Sequence, residues 1–320
     1  MNDPSERERE REREGERGGG WRAALPREEL DALLEMNDLR SWVSVGIDWA
    51  LIAAAMGAVV WLPGVLSVVV ALAVIGTRQL GLAVLMHEAS HRTLFRNRRL
   101  NDAVGNWLCA YPVWSDLHSY RAYHLRHHAR TWTEDDPDLE LARPFPITRA
   151  SFGRKVRRDL SGRTGLKFAR ARFGSARARW RAGQPDGRRA VIGFVTTQAI
   201  GLGLLTAIGH PWLYALWVGA WFTTHTLVTR IRAIAEHSMP SDPSDPLQHT
   251  RTTLASWWER LLIAPNRVNF HLEHHLIMTV PHYNLRRFHR LLRERGALEG
   301  ANVVRGYRRV LAAATSRAAS

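Results

Sequence analysis

The chain has 320 residues, 45% of them hydrophobic and 23% charged, with a formal net charge of +15. That length allows one large domain or two ordinary ones. A single cysteine, Cys109, excludes an internal disulfide framework and any cysteine-based zinc or iron–sulfur site. Residues 1–20 open with alternating Glu and Arg from Glu6 to Glu14, followed by Gly18, Gly19 and Gly20. On a helix this pattern sets unlike charges at i,i+3 against like charges at i,i+4, so the pair terms cancel. A disordered charged tail is expected there. No apolar stretch near Met1 signals a cleavable secretory leader.

The next segments are nearly free of charge. Trp42 to Leu62 is apolar except for Asp48, and Pro63-Gly64 makes a turn. Val65 to Thr77 continues through Arg78-Gln79 into Leu80 to Met86. Ala190 to Gly209 has no charged residue, His210-Pro211 interrupts, and Trp212 to Thr229 is again uncharged. Each run is about 18–22 residues, enough to cross roughly 30 Å of hydrocarbon as helix. Helices of a soluble core show a polar face, and these do not. Trp42, Trp49, Trp61, Trp212, Trp217 and Trp221 suit an aromatic belt. The expected architecture is an all-α integral membrane protein. Four transmembrane helices, at about 42–62, 64–86, 190–209 and 211–229, form two hairpins. Arg78 would sit at the inner interface and snorkel.

Between Ala142 and Arg189 there are 15 Lys and Arg against two acids, Asp159 and Asp186. By the positive-inside rule this loop and both termini are cytoplasmic. Anionic headgroups are a nearer partner for it than nucleic acid. Arginines interleaved with Phe168, Phe173 and Trp180 suit helices lying on the inner leaflet. The same topology places a cytoplasmic cap over 87–189 and 230–300, with a C-terminal tail over 301–320 and one membrane domain spanning 21–300.

The histidines decide the chemistry. His87-Glu88-Ala89-Ser90-His91 follows the second apolar segment, and His124-Leu125-Arg126-His127-His128 and His271-Leu272-Glu273-His274-His275 follow later. On a helix, i, i+3 and i+4 share a face, so each cluster presents two or three imidazoles together. Imidazole accepts iron, zinc, copper or nickel. Eight such ligands exceed what one ion can use, so two metals are expected. His237 is a ninth candidate, two turns beyond the fourth apolar segment, as His87 is beyond the second.

These boxes, their order and the extra Glu236-His237 resemble the membrane fatty acid desaturase family, within the wider integral-membrane di-iron desaturase/hydroxylase group. The resemblance runs over about residues 40 to 295. Thr133 to Leu139 (TEDDPDL) resembles the acidic segment after the family's second box, and His271 to Leu285 its third box and downstream sequence. Met278 stands where many members have proline. The resemblance implies that His87, His91, His124, His127, His128, His237, His271, His274 and His275 ligate two irons. It implies O2 as co-substrate and removal of two hydrogens from an acyl lipid or acyl thioester. Electrons would come from a separate ferredoxin-like or cytochrome-like donor, because no donor module is visible in the chain. A basic cap would attract an acidic donor. The expected location is a bacterial inner membrane.

Alternatives remain open at this level. A hydroxylase or a carotenoid or lipid oxygenase of the same group shares the boxes. His87-Glu88-x-x-His91 is also the zincin pattern, with Glu88 as general base, but a membrane zinc protease leaves the other boxes unexplained. A lipid-binding protein without catalysis needs no such array. Asp135, Asp136, Asp138, Glu88, Glu236 and Glu273 are candidates to hold the free ring nitrogens of ligand histidines, and His282 is a candidate neighbour of the third box. His118, His210, His225, His249 and His289 read as ordinary polar positions, and Cys109 as an apolar filler. Gly201, Gly203 and Gly219 are candidates to leave room for a substrate channel.

Overall fold

The computed structural model describes residues 20–22 and 25–318. The expected charged tail therefore lies outside the described residues, except for Gly20. Helix α1 (Arg27–Leu34) leads into a long hairpin of α2 (Asp38–Trp61) and α3 (Val65–Ser90). Asn37 caps α2 by accepting the Arg40 N–H, supplying one of the bonds a helix start lacks. Pro63 and Gly64 end the first helix and admit the second. At 1.5 Å per residue the two helices run about 36 and 39 Å, longer than the bilayer core.

A short α4 (Arg98–Val104) passes through a π-turn at Gly105–Ala110 into Tyr111–Val113. Then come α5 (Leu117–Arg130), the short α6 (Leu139–Ala142), and the arginine-rich α7 (Arg149–Leu160) and α8 (Arg163–Arg181). Helix α9 (Pro185–Ala207) is the third one long and apolar enough to cross a membrane, with α2 and α3. Only Gly187, Ala190, Gly193 and Phe194 of α9 are buried. Val195, Ile200, Leu202 and Leu204 lie open, as do Trp61 and Val65 at the hairpin tip, which are 85% and 83% exposed. A continuous apolar surface of this extent fits lipid and not water.

The fourth apolar block differs from the expected single span. It forms α10 (Tyr214–Phe222) and α11 (Thr224–His237), broken at Thr223, where φ is −116° and ψ is −83°. The hydroxyls of Thr223 and Thr226 donate to the carbonyls of Gly219 and Thr223, competing with the helix's own ladder. The Thr224 hydroxyl, at 2.5 Å, bonds outside the helix, to Leu72 O on α3. Gly76 makes that approach possible, because a Cβ there would stand 2.1 Å from Thr224 Oγ1. Met56 and Val59 of α2, Ile75 of α3 and Trp217 and Trp221 of α10 share one buried cluster.

Arg78 does not snorkel. It is buried and pairs with Asp48 of α2 at 3.0 Å, while its other nitrogen donates to Leu261 O. Asn266 Nδ2 donates to the second Asp48 oxygen at 2.8 Å and to Gly81 O at 3.1 Å. The carboxylate is thereby satisfied on both oxygens, which makes a charge pair inside an apolar hairpin tolerable. Gly81 leaves the space, since a Cβ there would lie 2.4 Å from Asp48 Oδ2.

The remaining elements are β1 (Thr252–Leu254), α12 (Trp257–Leu262), a turn at Pro265–Arg267, α13 (His271–Leu276), α14 (Leu285–Glu294), β2 (Val303–Arg305) and α15 (Tyr307–Ala314). Residues 303–314 thus correct the expectation of a tail. Strand β2 pairs in parallel with β1, Thr252 opposite Val303, the one strand pair among the described residues of a helical chain. Tyr307, Val310 and Ala314 recur at helical spacing and bury against Val228 and Ile234 of α11. The Tyr307 N–H donates to Glu259 Oε1 at 2.7 Å.

Candidate metal centre

Four elements carry the nine histidines to one place. His87 lies 22 residues along α3 from Val65, about 33 Å up the axis, and His91 caps that helix. His124, His127 and His128 lie on α5, His237 ends α11, and His271, His274 and His275 lie on α13.

The ring nitrogens form two groups. The ligand atoms of His87, His91, His124, His128 and His274 all lie within 4.8 Å of one another. His127, His237 and His275 make a second set, and His237 also groups with His271 and Glu236. Both later boxes are divided. His124 and His128, at i and i+4, face the first group, while His127 faces the second. In the third box His274 faces the first group, while His271 and His275, again i and i+4, face the second. Each H-x-x-H-H helix therefore reaches both groups at once, with one ring turned away from the i,i+4 pair.

The spacing suits metal ions. Nε2 atoms stand 3.0 Å apart in His91–His124 and in His124–His128, 3.1 Å in His128–His274 and 2.8 Å in His237–His271. Metal–nitrogen bonds of about 2.0–2.1 Å at right angles give an edge of about 3.0 Å. Nε2 of His87, His127 and His275 is buried with no hydrogen-bond partner, and a bound cation would satisfy such orphans. Burial, followed by the neighbouring imidazoles, holds His124, His274 and His275 well below the ordinary histidine pKa. His237 and His271 shift the same way, with Arg232 adding to the effect. All five are neutral at pH 7, the form that ligates.

Carboxylates orient several rings. His127 Nδ1 donates to Asp136 Oδ1 at 2.8 Å, and Asp138 is 3.8 Å from the same nitrogen. Burial alone would raise the Asp136 carboxyl. The bonds from His127 and from the Asp138 and Trp132 N–H groups outweigh it, so Asp136 titrates below its usual range. Glu88 Oε1 lies 3.4 Å from His87 Nδ1, and its other oxygen accepts the His282 N–H at 3.0 Å and the Thr93 hydroxyl at 3.2 Å. His282 in turn meets Ser44 Oγ at 2.9 Å, so it acts on His87 through Glu88. Glu236 lies 3.7 Å from His271 Nδ1 and is bonded by Arg232 at 2.6 Å, yet burial pushes it up to about 7.

Two expected contacts are absent. Asp135 is exposed and meets no ring nitrogen among the described residues. Glu273 turns away from the ligand rings of its own box. Its carboxylate accepts His289 Nδ1 at 2.6 Å and the Thr252 hydroxyl, bracing α13 against α14 and β1. His289 was readable from its place on the apolar face of α14 with Leu285, Phe288 and Leu292. His249, whose ring is 5.9 Å from that of His275, has no sequence signal. His225 is buried against Trp221, outside both groups.

Asp136→Asn should lower metal retention about 10–100-fold, the usual effect of losing a partner behind a metal-binding imidazole. Equilibrium dialysis against a chelator checks this. Retention equal to the unaltered protein would show that Asp136 has no such role.

The Fatty acid desaturase family model matches residues 59–307. The chain belongs to the fatty acid desaturase family. Dihydrorhizobitoxine desaturase of Bradyrhizobium elkanii is 26% identical over 274 residues, covering 79% of this chain and 75% of its own. The chloroplastic omega-6 fatty acid desaturase of Brassica napus is 25% identical, over 84% of this chain and 62% of its own. The sn-1 oleoyl-lipid 12-desaturase of Anabaena variabilis is 26% identical, over 66% and 64%. The protein is therefore a desaturase-type oxidoreductase of lipid metabolism, from a family that uses iron, and its histidine clusters can hold metal. The zincin reading is not favoured. Glu88 is spent on His87, His282 and Thr93, and three further imidazoles, of His124, His128 and His274, join the two of the first box.

Proposed function

We propose that this protein is an O2-dependent membrane di-iron desaturase that introduces a double bond into a fatty acyl chain. The observation carrying this reading is the division of both H-x-x-H-H boxes between two ligand groups. His87, His91, His124, His128 and His274 would hold one iron. His127, His237, His271 and His275 would hold the other, with Glu236 beside it. Bound iron supplies the activation of O2 and the attack on an unactivated C–H bond. The chain's own part is to keep the buried imidazoles of His124, His237, His271, His274 and His275 neutral, to fix His127 through Asp136 and His87 through Glu88, and to exclude water by burial. Electrons would come from a separate donor.

The reading also places the four crossings of the bilayer at α2, α3, α9 and the broken pair α10–α11. Both termini, the histidine-bearing ends of α3 and α11 beyond the bilayer, and helices α5 and α13 would lie on the cytoplasmic side of a bacterial inner membrane. The arginines of α7 and α8 support this orientation.

A cavity of about 530 Å³ lies between the helices, lined by Trp49, Ile52, Met56, Gly201, Leu204 and Trp217, among others. Its size and apolar walls suit part of an acyl chain. Gly201 belongs to it. Gly203 and Gly219 do not, and a Cβ on Gly219 would instead meet Leu72 at 3.6 Å.

The test is mass spectrometry of lipids from a host expressing the protein. The expected product is two mass units lighter per acyl chain. A gain of sixteen units would make it a hydroxylase, and an unchanged lipid profile with the iron present and a reductant supplied would contradict the acyl substrate.

A further inference from the structure

His237 is the ligand candidate that α11 contributes, and it is the last residue of that helix. Its Nε2 faces His271, while its Nδ1 is buried with no hydrogen-bond partner among the described residues. His127 and His87 have carboxylates behind their rings, those of Asp136 and Glu88. His237 has no such partner, so the place of its ring is set by the backbone that carries it.

That backbone is a helix end, where the last carbonyls lack an intrahelical donor. Arg251 takes several of them. Its N–H donates to Glu236 O at 2.9 Å. Its guanidinium donates to Ala235 O at 3.1 Å, Ser238 O at 2.7 Å and Met239 O at 3.3 Å. Carbonyls on both sides of His237 are thereby held by one residue. Met239 has a φ of 57°, a left-handed conformation uncommon outside glycine, so the turn after His237 follows an unusual path that the guanidinium grips. Arg251 is itself buried. Burial pushes its guanidinium down to about 10, with no neighbouring acid among the described residues opposing the shift. A buried cation without an acid partner is costly, and the negative end of α11 offsets that cost.

The same residue reaches towards the third box. Arg251 Nε donates to Asn302 Oδ1 at 3.0 Å, and the Thr252 N–H donates to Asn302 O at 3.0 Å. The Thr252 hydroxyl donates to Glu273 of α13. Strand β1 thus ties the end of α11 to the helix that carries His271 and His275, two rings grouped with His237.

We propose that Arg251 is a positioning residue for the second metal group. By holding the carbonyls before and after His237, it fixes that imidazole against His127, His271 and His275. The proposal rests on the two-iron reading, with His237 as a ligand. Arg251 touches neither metal nor substrate and acts through His237.

The test counts iron per folded chain on the full-length protein in detergent, after dialysis against a chelator, and needs no turnover. The parent should hold about two irons. Arg251→Met should weaken retention of one of them at least about tenfold, the lower end for partners that orient a metal ligand, and spare the other. Arg251→Met/His275→Ala should still hold about one, since both changes strike the same group. Arg251→Met/His124→Ala should hold close to none. Asp159→Asn loosens a different anchor of α11, the pair with Arg230 about two turns before His237, and should keep both irons. If Arg251→Met yields no folded protein, Asn302→Ala takes its place. It removes the Nε acceptor, keeps the guanidinium, and should weaken the same iron and spare the other. Parental retention of both irons would overturn the proposal and leave the two-iron reading standing, as would equal loss from both groups or equal loss in Asp159→Asn. A parent that holds a single metal would overturn both.

Discussion

His237→Ala is expected to abolish product formation and to lower iron retention by more than 100-fold. His237 Nε2 stands 2.8 Å from that of His271, and the ring shares a group with His127 and His275. On the proposed assignment, removing it takes away a direct metal bond. Outer partners already matter about 10–100-fold, so a lost ligand exceeds that. His225→Ala is the matched control. It lies on the same helix, 12 residues away, about 18 Å along the axis, and belongs to neither group. Its loss opens a hole beside Trp221 and lowers stability by about 2–5 kcal/mol, but iron per folded chain should persist. Iron content and lipid product are read at equal amounts of folded protein. Full iron and full activity in His237→Ala would refute the nine-ligand assignment.

Asp48→Ala is expected to destabilise the hairpin by about 3–5 kcal/mol, because it leaves Arg78 charged, buried and short of its partner. Asn266 loses an acceptor at the same time. Asp48→Leu/Arg78→Met should recover most of the loss, since a packed apolar pair replaces a buried ion pair at little net change. Unfolding in mixed micelles followed by circular dichroism measures both. A single variant as stable as the parent would mean that the pair is not maintained in the membrane.

The histidine boxes were legible because metal chemistry leaves few substitutes at fixed spacing. His237 was legible for a different reason, its position past an apolar segment in parallel with His87. How the boxes divide was not legible, because i, i+3 and i+4 share a helix face in sequence terms. Only the docking of α5 against α13 decides which ring turns to which group. The break at Thr223 was hidden in an uncharged run, where hydropathy is blind to threonine hydroxyls and to the close approach at Gly76. Arg78 looked like an interfacial residue until Asp48, 30 positions earlier, was brought to it across the hairpin. Glu273 sits between two ligands in sequence, yet a side chain between them on a helix points elsewhere, here to His289.

Metal counting on the purified chain tests the central claim most directly. Protein isolated with its native metal should hold about two irons per chain, with His127→Ala or His275→Ala removing about one and leaving the other in the first group. One zinc per chain, unaffected by replacing His127, His237 or His275, would contradict a centre built from all three boxes.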